Sequence, residues 1–283
     1  MNNAELQQMK INSAKIRSTV LRILKQKNGG HLGGSLSIVE ALSVLYTKQL
    51  RHDPKNPQDP DRDYLVLSKG HAGPGLYSAL SVFGYFPEEA LKTMNEGGTD
   101  FPSHPDRTRT PGVDATTGSL GQGISVAAGL AYALKLEQKD QYVYAIVGDG
   151  ELNEGQCWEA FQFIANYKLD HLIVMIDWNK RQLDGYTKDV MQPFDIAKKM
   201  EAFGFSTVCV NGADEQAISD AIDAAKEKRD TAVCIVLDTI KGQGVKYFED
   251  MVDNHSVKFK PTDIAEVDKA LAALDEICKG GAQ

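Results

Sequence analysis

Nowhere in this 283-residue sequence does an apolar run approach the ~20 residues that a membrane-spanning helix needs. The start, Met1-Asn-Asn-Ala-Glu, also lacks the basic then apolar pattern of a secretory signal. The expectation is a soluble, cytoplasmic protein with no membrane partner. Cysteine is scarce. Cys157, Cys209, Cys234 and Cys278 lie far apart and form no C-x-x-C pair, which removes support for zinc and dithiol redox chemistry and predicts buried, reduced thiols. Positive charge is in deficit: 31 Lys and Arg against 39 Asp and Glu give a net charge of -8. That sign argues against a general nucleic-acid surface but leaves room for a local phosphate pocket. Repeats and low-complexity segments are absent, and so are the two common nucleotide loops. Gly148-Asp-Gly-Glu-Leu-Asn-Glu-Gly155 is not G-x-G-x-x-G, and no G-K-[ST] occurs.

With 42% apolar residues the chain can bury a substantial core. One domain over residues 1–283 is predicted. Leu6, Met9, Ile16, Val20, Leu21, Ile23 and Leu24 recur at helical spacing until Asn28-Gly29-Gly30 stops the pattern. The glycine turn His31-Leu-Gly-Gly-Ser35 leads to a second helix from about 37 to 49, and a Pro- and Asp-rich loop (52–62) delivers a strand at 64–67. Ser68-Lys-Gly-His-Ala-Gly-Pro-Gly75 and a helix follow. The long Gly, Pro and Thr segment 97–118 reads as a functional loop. Helix 121–136 is almost all Gly and Ala on one side, as expected of a helix either buried in its own domain or facing another subunit.

From residue 142 apolar strands (142–147, 172–177, 206–210, 232–237) alternate with amphipathic helices (153–167, 194–203, 214–227). The fold class is therefore α/β, with a mainly parallel central sheet flanked by helices. A helix opening at Thr262, with Ile264, Val267, Leu271 and Leu274 inward, closes the domain, so that 261–283 is a terminal helix and tail.

Two stretches concentrate the chemistry, Ala145-Ile-Val-Gly-Asp-Gly-Glu-Leu-Asn-Glu-Gly155 and Val174-Met-Ile-Asp-Trp-Asn-Lys180. Each is a strand ending in an oxygen-bearing side chain, Asp149 and Asn179. Parallel sheets bind ligands beyond the carboxyl ends of their strands, where the helix after Asp149 also presents free N–H groups. A diphosphate fits there, with a hard cation on a carboxylate, an amide oxygen and a main-chain carbonyl just past Asn179. Such oxygen donors suit Mg²⁺ or Ca²⁺. A Gly-Asp-Gly turn alone is as readily structural; Asn179 at the next strand end strengthens the binding reading.

Gly148-Asp-Gly150 followed by Asn179 resembles the thiamine-diphosphate motif. Asp149-Gly-Glu-Leu-Asn-Glu-Gly-Gln-Cys-Trp-Glu159, Leu67-Ser-Lys-Gly-His-Ala72, Thr117-Gly-Ser-Leu-Gly-Gln-Gly123 and Asp184-Gly185 are similar to transketolases in particular, over about residues 12–275. The resemblance implies that Asp149, Asn179 and the Arg181 carbonyl hold the metal. It implies further that Gly148, Gly150, Lys69, His71, Lys241 and His255 surround the diphosphate, and that Gly118 and Leu120 meet the aminopyrimidine. By the same resemblance His31, His71, His104 and His255 would line the substrate channel, and imidazoles suit proton handling on sugar hydroxyls near neutrality. His52, in Arg51-His-Asp-Pro, reads as a surface residue. Glu154 is implied to join a glutamate network across a subunit interface, or else is a surface charge favoured by the helix dipole.

Transketolases are about twice this length. The second domain supplies the glutamate that activates the aminopyrimidine, the aromatic clamp on that ring and most substrate-phosphate contacts; no residue here matches that glutamate. The resemblance therefore implies the amino-terminal subunit of a split transketolase, an enzyme of the pentose phosphate pathway type, transferring a two-carbon ketol unit between sugar phosphates. Its site would be completed by a separate carboxy-terminal, pyrimidine-binding subunit, as a dimer of heterodimers. Three alternatives stay open: the alpha-type subunit of a 2-oxo-acid dehydrogenase, half of a deoxyxylulose-phosphate-type synthase, and a non-catalytic regulatory subunit. Leu67-Ser-Lys-Gly-His-Ala72 and Pro102-Ser-His-Pro105 favour the sugar-phosphate enzyme. Leu32 and Trp178 depart from the family pattern without removing a ligand, and leave donor specificity open.

Overall fold

Strands built mainly of apolar residues need cover on both faces, and this chain supplies it for the central ones. The computed structural model describes residues 2–280. Its centre is a five-stranded parallel sheet of β1 (Tyr64–Leu67), β2 (Val143–Gly148), β3 (Leu172–Trp178), β4 (Phe205–Asn211) and β5 (Ala232–Asp238), in spatial order β1-β2-β3-β5-β4. Because side chains alternate along a strand, Tyr144, Ile146, Ile173, Met175, Val233 and Ile235 enter one core layer. Val143, Ala145, Val147, Val174, Ile176 and Cys234 enter the other. The first layer is covered by α1 (Asn3–Gln26), α2 (Val39–Val44), α3 (Gly73–Val82), a helix at Glu215–Lys226 and the closing helix Pro261–Gly280. The second is covered by α4 (Gln122–Leu136), α5 (Gly155–Asn166) and α6 (Ile196–Ala202).

Local signals set the element ends. Asn2 and Glu5 form a reciprocal capping box on α1, and Asp214 accepts from the Gln216 and Ala217 N–H groups at the start of the next-to-last long helix. Val267 and Leu274 of the closing helix are buried as expected. Residues 281–283 of the predicted tail lie outside the described residues.

Four expectations need correction. The helix read from about 37 to 49 begins earlier and is broken: Gly33–Leu36 is already helical, followed by α2 and a π-helical turn at Leu45–Gln49. Close packing explains this, since a Cβ on Gly33 would lie 2.7 Å from the Asn254 carbonyl oxygen. The helix expected from 153 begins at Gly155, after a 3-10 turn at Glu151–Asn153. Cys157 and Cys234 are buried, but Cys209 is exposed because it sits on the edge strand β4. His52 is not a free surface residue. Its Nε2 lies 2.9 Å from the Tyr46 carbonyl oxygen and its Nδ1 3.2 Å from the Tyr85 hydroxyl, with the ring stacked on Tyr85. Tyr46 lies six positions before it, but Tyr85 comes from 33 positions further along the chain.

Candidate active site

Parallel pairing in register brings four strand ends into one row. Gly148 is opposite Asp177, and Trp178 is opposite Asp238. The residues that follow β1, β2, β3 and β5 are therefore neighbours: Lys69, Asp149, Asn179 and Lys241. Together with turns from the first third of the chain they enclose a cavity of about 400 Å³. Every residue that the sequence assigned to the site lines it: His31, Lys69, His71, His104, Gly118, Leu120, Gly148, Asp149, Gly150, Glu154, Asn179, Arg181, Lys241 and His255.

The oxygen donors are held by the backbone. Asp149, 2% exposed, accepts from the Gly150 N–H (2.8 Å) and the Lys180 N–H (2.7 Å). Burial, and then the charge of Asp177, push its carboxyl up to about 7. Asn179 donates its amide to Asp177 Oδ2 (2.8 Å), which fixes its Oδ1 as the free acceptor; that oxygen also receives the Arg181 N–H at 3.1 Å. Past it, Arg181–Gln182 and Gly185–Tyr186 form a small hairpin. The Arg181 guanidinium donates to the Met251 carbonyl (2.7 Å) and the Tyr186 hydroxyl (2.9 Å), tying the hairpin to the segment that carries His255.

The four histidines come from turns spread over 225 positions, yet form one cluster. His31 lies at its centre, with ring centroids 5.8, 5.5 and 5.6 Å from His71, His104 and His255, and His71 is 4.6 Å from His255. Burial lowers His31, His71 and His255, and nearby positive charge adds to it: Lys69 beside His71, and Lys241 beside His255, which falls to about 3. At neutral pH these three rings are uncharged, able to donate from one nitrogen and accept at the other. Gly118 must be glycine: its φ is +149°, and a Cβ would lie 3.1 Å from the His104 ring.

Lys69 lines the cavity from below. Its ammonium is spent on Asp177 Oδ2 (2.5 Å) and the Gly34 carbonyl (2.7 Å), so it supports the cavity floor. Glu154 is exposed at the rim as the N-cap of α5; its carbonyl accepts from the Cys157 N–H (3.1 Å), but its side chain makes no capping hydrogen bond. Two buried carboxylates escaped the sequence reading. Asp177 joins Lys69, Ser37, Asn179 and Thr239; burial works to raise its carboxyl, but Lys69 prevails and holds it below the usual range. Glu151 accepts from Ser68 (2.5 Å), Gly121 N–H (2.8 Å) and Gly148 N–H (2.9 Å), fastening three glycine motifs together. Both lie inside the quoted motifs. Only the parity of β3 and the 3-10 turn at Glu151 reveal that they point inward.

Such a cavity, at the strand ends of a parallel α/β sheet, with buried oxygen donors, lysines and uncharged imidazoles, has the chemistry suited to a phosphorylated cofactor beside a polar substrate. Known proteins specify which. Residues 7–276 match the family described as transketolase, thiamine diphosphate binding domain. The 6-deoxy-6-sulfo-D-fructose transketolase subunit of Clostridium sp. (strain MSTE9) is 46% identical over 86% of this chain and 88% of its own length. An apulose-4-phosphate transketolase subunit of Actinobacillus succinogenes is 41% identical, over 80% of this chain and 82% of its own length. The crystal structure of transketolase from Campylobacter jejuni superposes with a TM-score of 0.85 at 29% identity, covering 100% of this chain and 47% of that one. The chain belongs to the transketolase family, and it spans about half the length of the solved transketolases it matches.

Proposed function

We propose that this chain is the diphosphate-binding subunit of a two-chain transketolase. With thiamine diphosphate and Mg²⁺ or Ca²⁺, it transfers a two-carbon ketol unit from a ketose to an aldose phosphate. The observation that carries the reading is the single cavity in which three oxygen donors, two lysines and four histidines meet. The donor set fits a hard divalent ion: Asp149, Asn179 Oδ1 and the Arg181 carbonyl are all oxygens, and a raised carboxyl beside Asp177 is a site short of a cation. Thiamine diphosphate supplies the carbanion chemistry when bound. The chain's own residues hold and steer. Gly148 and Gly150 let a diphosphate approach the main chain, and Lys241 faces it with a positive charge. The Asp177–Lys69 pair keeps Asn179 in orientation. The imidazoles of His31, His104 and His255 exchange protons with donor and acceptor hydroxyls.

A partner is supported by the relatives and by surface. The two relatives above are named as subunits. Leu183, which lines the cavity, is 64% exposed, and Met191 (61%) and Phe194 (67%) further along the same segment are also exposed apolar side chains suited to another protein surface. We assign that surface to a carboxy-terminal, pyrimidine-binding subunit, in a dimer of heterodimers, with Glu154 at the junction. The test is turnover of ribose 5-phosphate with xylulose 5-phosphate or 6-deoxy-6-sulfo-D-fructose as donor, in thiamine diphosphate and Mg²⁺, with and without the partner. Full turnover by this chain alone refutes the division of labour. A second expectation concerns His104: in the complex, His104→Ala should lower kcat about 10²- to 10⁴-fold. Cofactor affinity and melting temperature should stay near wild type, and a loss of stability with unchanged kcat would mark the residue as structural.

A further inference from the structure

Two buried lysines face this cavity, and their surroundings differ. Lys69 is paired with Asp177 at 2.5 Å. Lys241, 2% exposed, has no carboxylate oxygen within 4.0 Å among the described residues. Its ammonium donates instead to the carbonyl oxygens of Arg181 and Gln182, each at 3.3 Å, and lies 3.0 Å from His255 Nδ1. The first of these carbonyls is the main-chain donor assigned above to the metal. We infer that Lys241 is a built-in cation that occupies the Arg181 carbonyl until a diphosphate arrives, so that metal and diphosphate bind cooperatively.

The inference rests on the metal assignment made under the proposed function. A divalent ion and an ammonium on one buried carbonyl oxygen repel strongly, so the metal binds well only once the lysine has left. Leaving needs another anion for the ammonium, and a diphosphate supplies it. The side chain is arranged for such a move. Its backbone is fixed, since the Asn254 amide donates to the Lys241 carbonyl at 2.9 Å. The stem passes through a slot left by Gly33, where a Cβ would lie 2.7 Å from Lys241 Cγ. Its two carbonyl contacts are longer than the 2.5 and 2.7 Å contacts of Lys69, and a four-carbon stem lets the head swing. An anchored base whose head makes only long carbonyl contacts and no ion pair, with Asp149 and Asp177 acting on it from farther off, is a movable charge; Lys69 is a fixed one.

The experiment measures Mn²⁺ binding to the full chain by electron paramagnetic resonance, without diphosphate, followed by titration with thiamine diphosphate at saturating Mn²⁺. Lys241→Met should bind Mn²⁺ alone about tenfold more tightly than wild type, because a neighbouring positive charge is gone. The same variant should bind thiamine diphosphate about tenfold more weakly, for want of that charge. Lys241→Arg, which keeps the charge, should show no gain in Mn²⁺ affinity. A Lys241→Met chain with unchanged or weaker Mn²⁺ binding overturns the inference, as does failure of both chains to bind Mn²⁺. Lys241→Gln, checked for an unchanged melting temperature, repeats the test should the methionine variant fold poorly. Adding Asp149→Asn separates the two readings. If Mn²⁺ binding survives it, the metal assignment itself is wrong; if binding needs Asp149 but ignores Lys241, only the coupling fails.

Discussion

Replacing Asp149 by Ala should abolish cofactor-dependent turnover of the assembled enzyme, by at least ~10³-fold, because a metal that neutralises the diphosphate is worth several kcal/mol. The direct measurement is the dissociation constant of Mg²⁺ in the presence of thiamine diphosphate, and binding within a few-fold of wild type would sink the assignment. The same residue gives a stability signature of unusual sign. Its carboxyl sits at about 7 in the folded chain, against ~3.9 unfolded. Between those values the folded state holds a proton that the unfolded state has lost, so metal-free stability should fall as pH rises from about 4 to 7 and then level off. Asp149→Asn should remove that slope. Above pH 7 it should leave the metal-free chain more stable than wild type by roughly 2–4 kcal/mol, with no metal affinity left. Chemical denaturation at pH 5 and pH 8 reads the difference, and equal slopes for the two proteins would show that Asp149 is ionised in the free chain.

Asp177→Ala should be the most damaging single change to the fold around the site. It leaves Lys69 buried without its partner, and breaking such a pair costs about 3–5 kcal/mol. In a chain of this size that lowers the melting temperature by roughly 10 °C. The carboxylate has a second duty, the orientation of Asn179. The combination Lys69→Met with Asp177→Leu should therefore recover part of the stability, since apolar replacements of a buried pair are tolerated. Metal affinity should not recover with it. A double variant that regains both would show that Asp177 serves stability alone; a single variant losing less than ~1 kcal/mol would show that the pair is not buried in solution.

The transketolase reading agrees with the names of the relatives, both of them transketolase subunits, one named for a sulfonated sugar and the other for a phosphorylated one. Spacing was enough to place the site on the sheet. Apolar strands alternating with amphipathic helices dictate a parallel sheet covered on two faces, and a parallel sheet dictates where loops converge. Asp149 and Asn179 were legible for that reason: both directly follow a strand.

Other features depend on chain segments meeting in space. Sequence could say that His31, His71, His104 and His255 occupy glycine- or proline-rich turns, but their rings meet only because Gly33, Gly34 and Gly118 let backbone and rings approach within van der Waals distance. His52 carries the same local signal, and tertiary packing sends it to an aromatic cluster instead. The two lysines look alike in sequence; a counter-charge 108 positions away fixes one, and the other has only carbonyl and imidazole partners. Asp177 and Glu151 were invisible as functional groups because inward direction is a property of the packed sheet. Sequence by itself determined the family and the fold class. The tertiary structure decided which charges are compensated, because compensation is a distance between residues that the chain order does not contain.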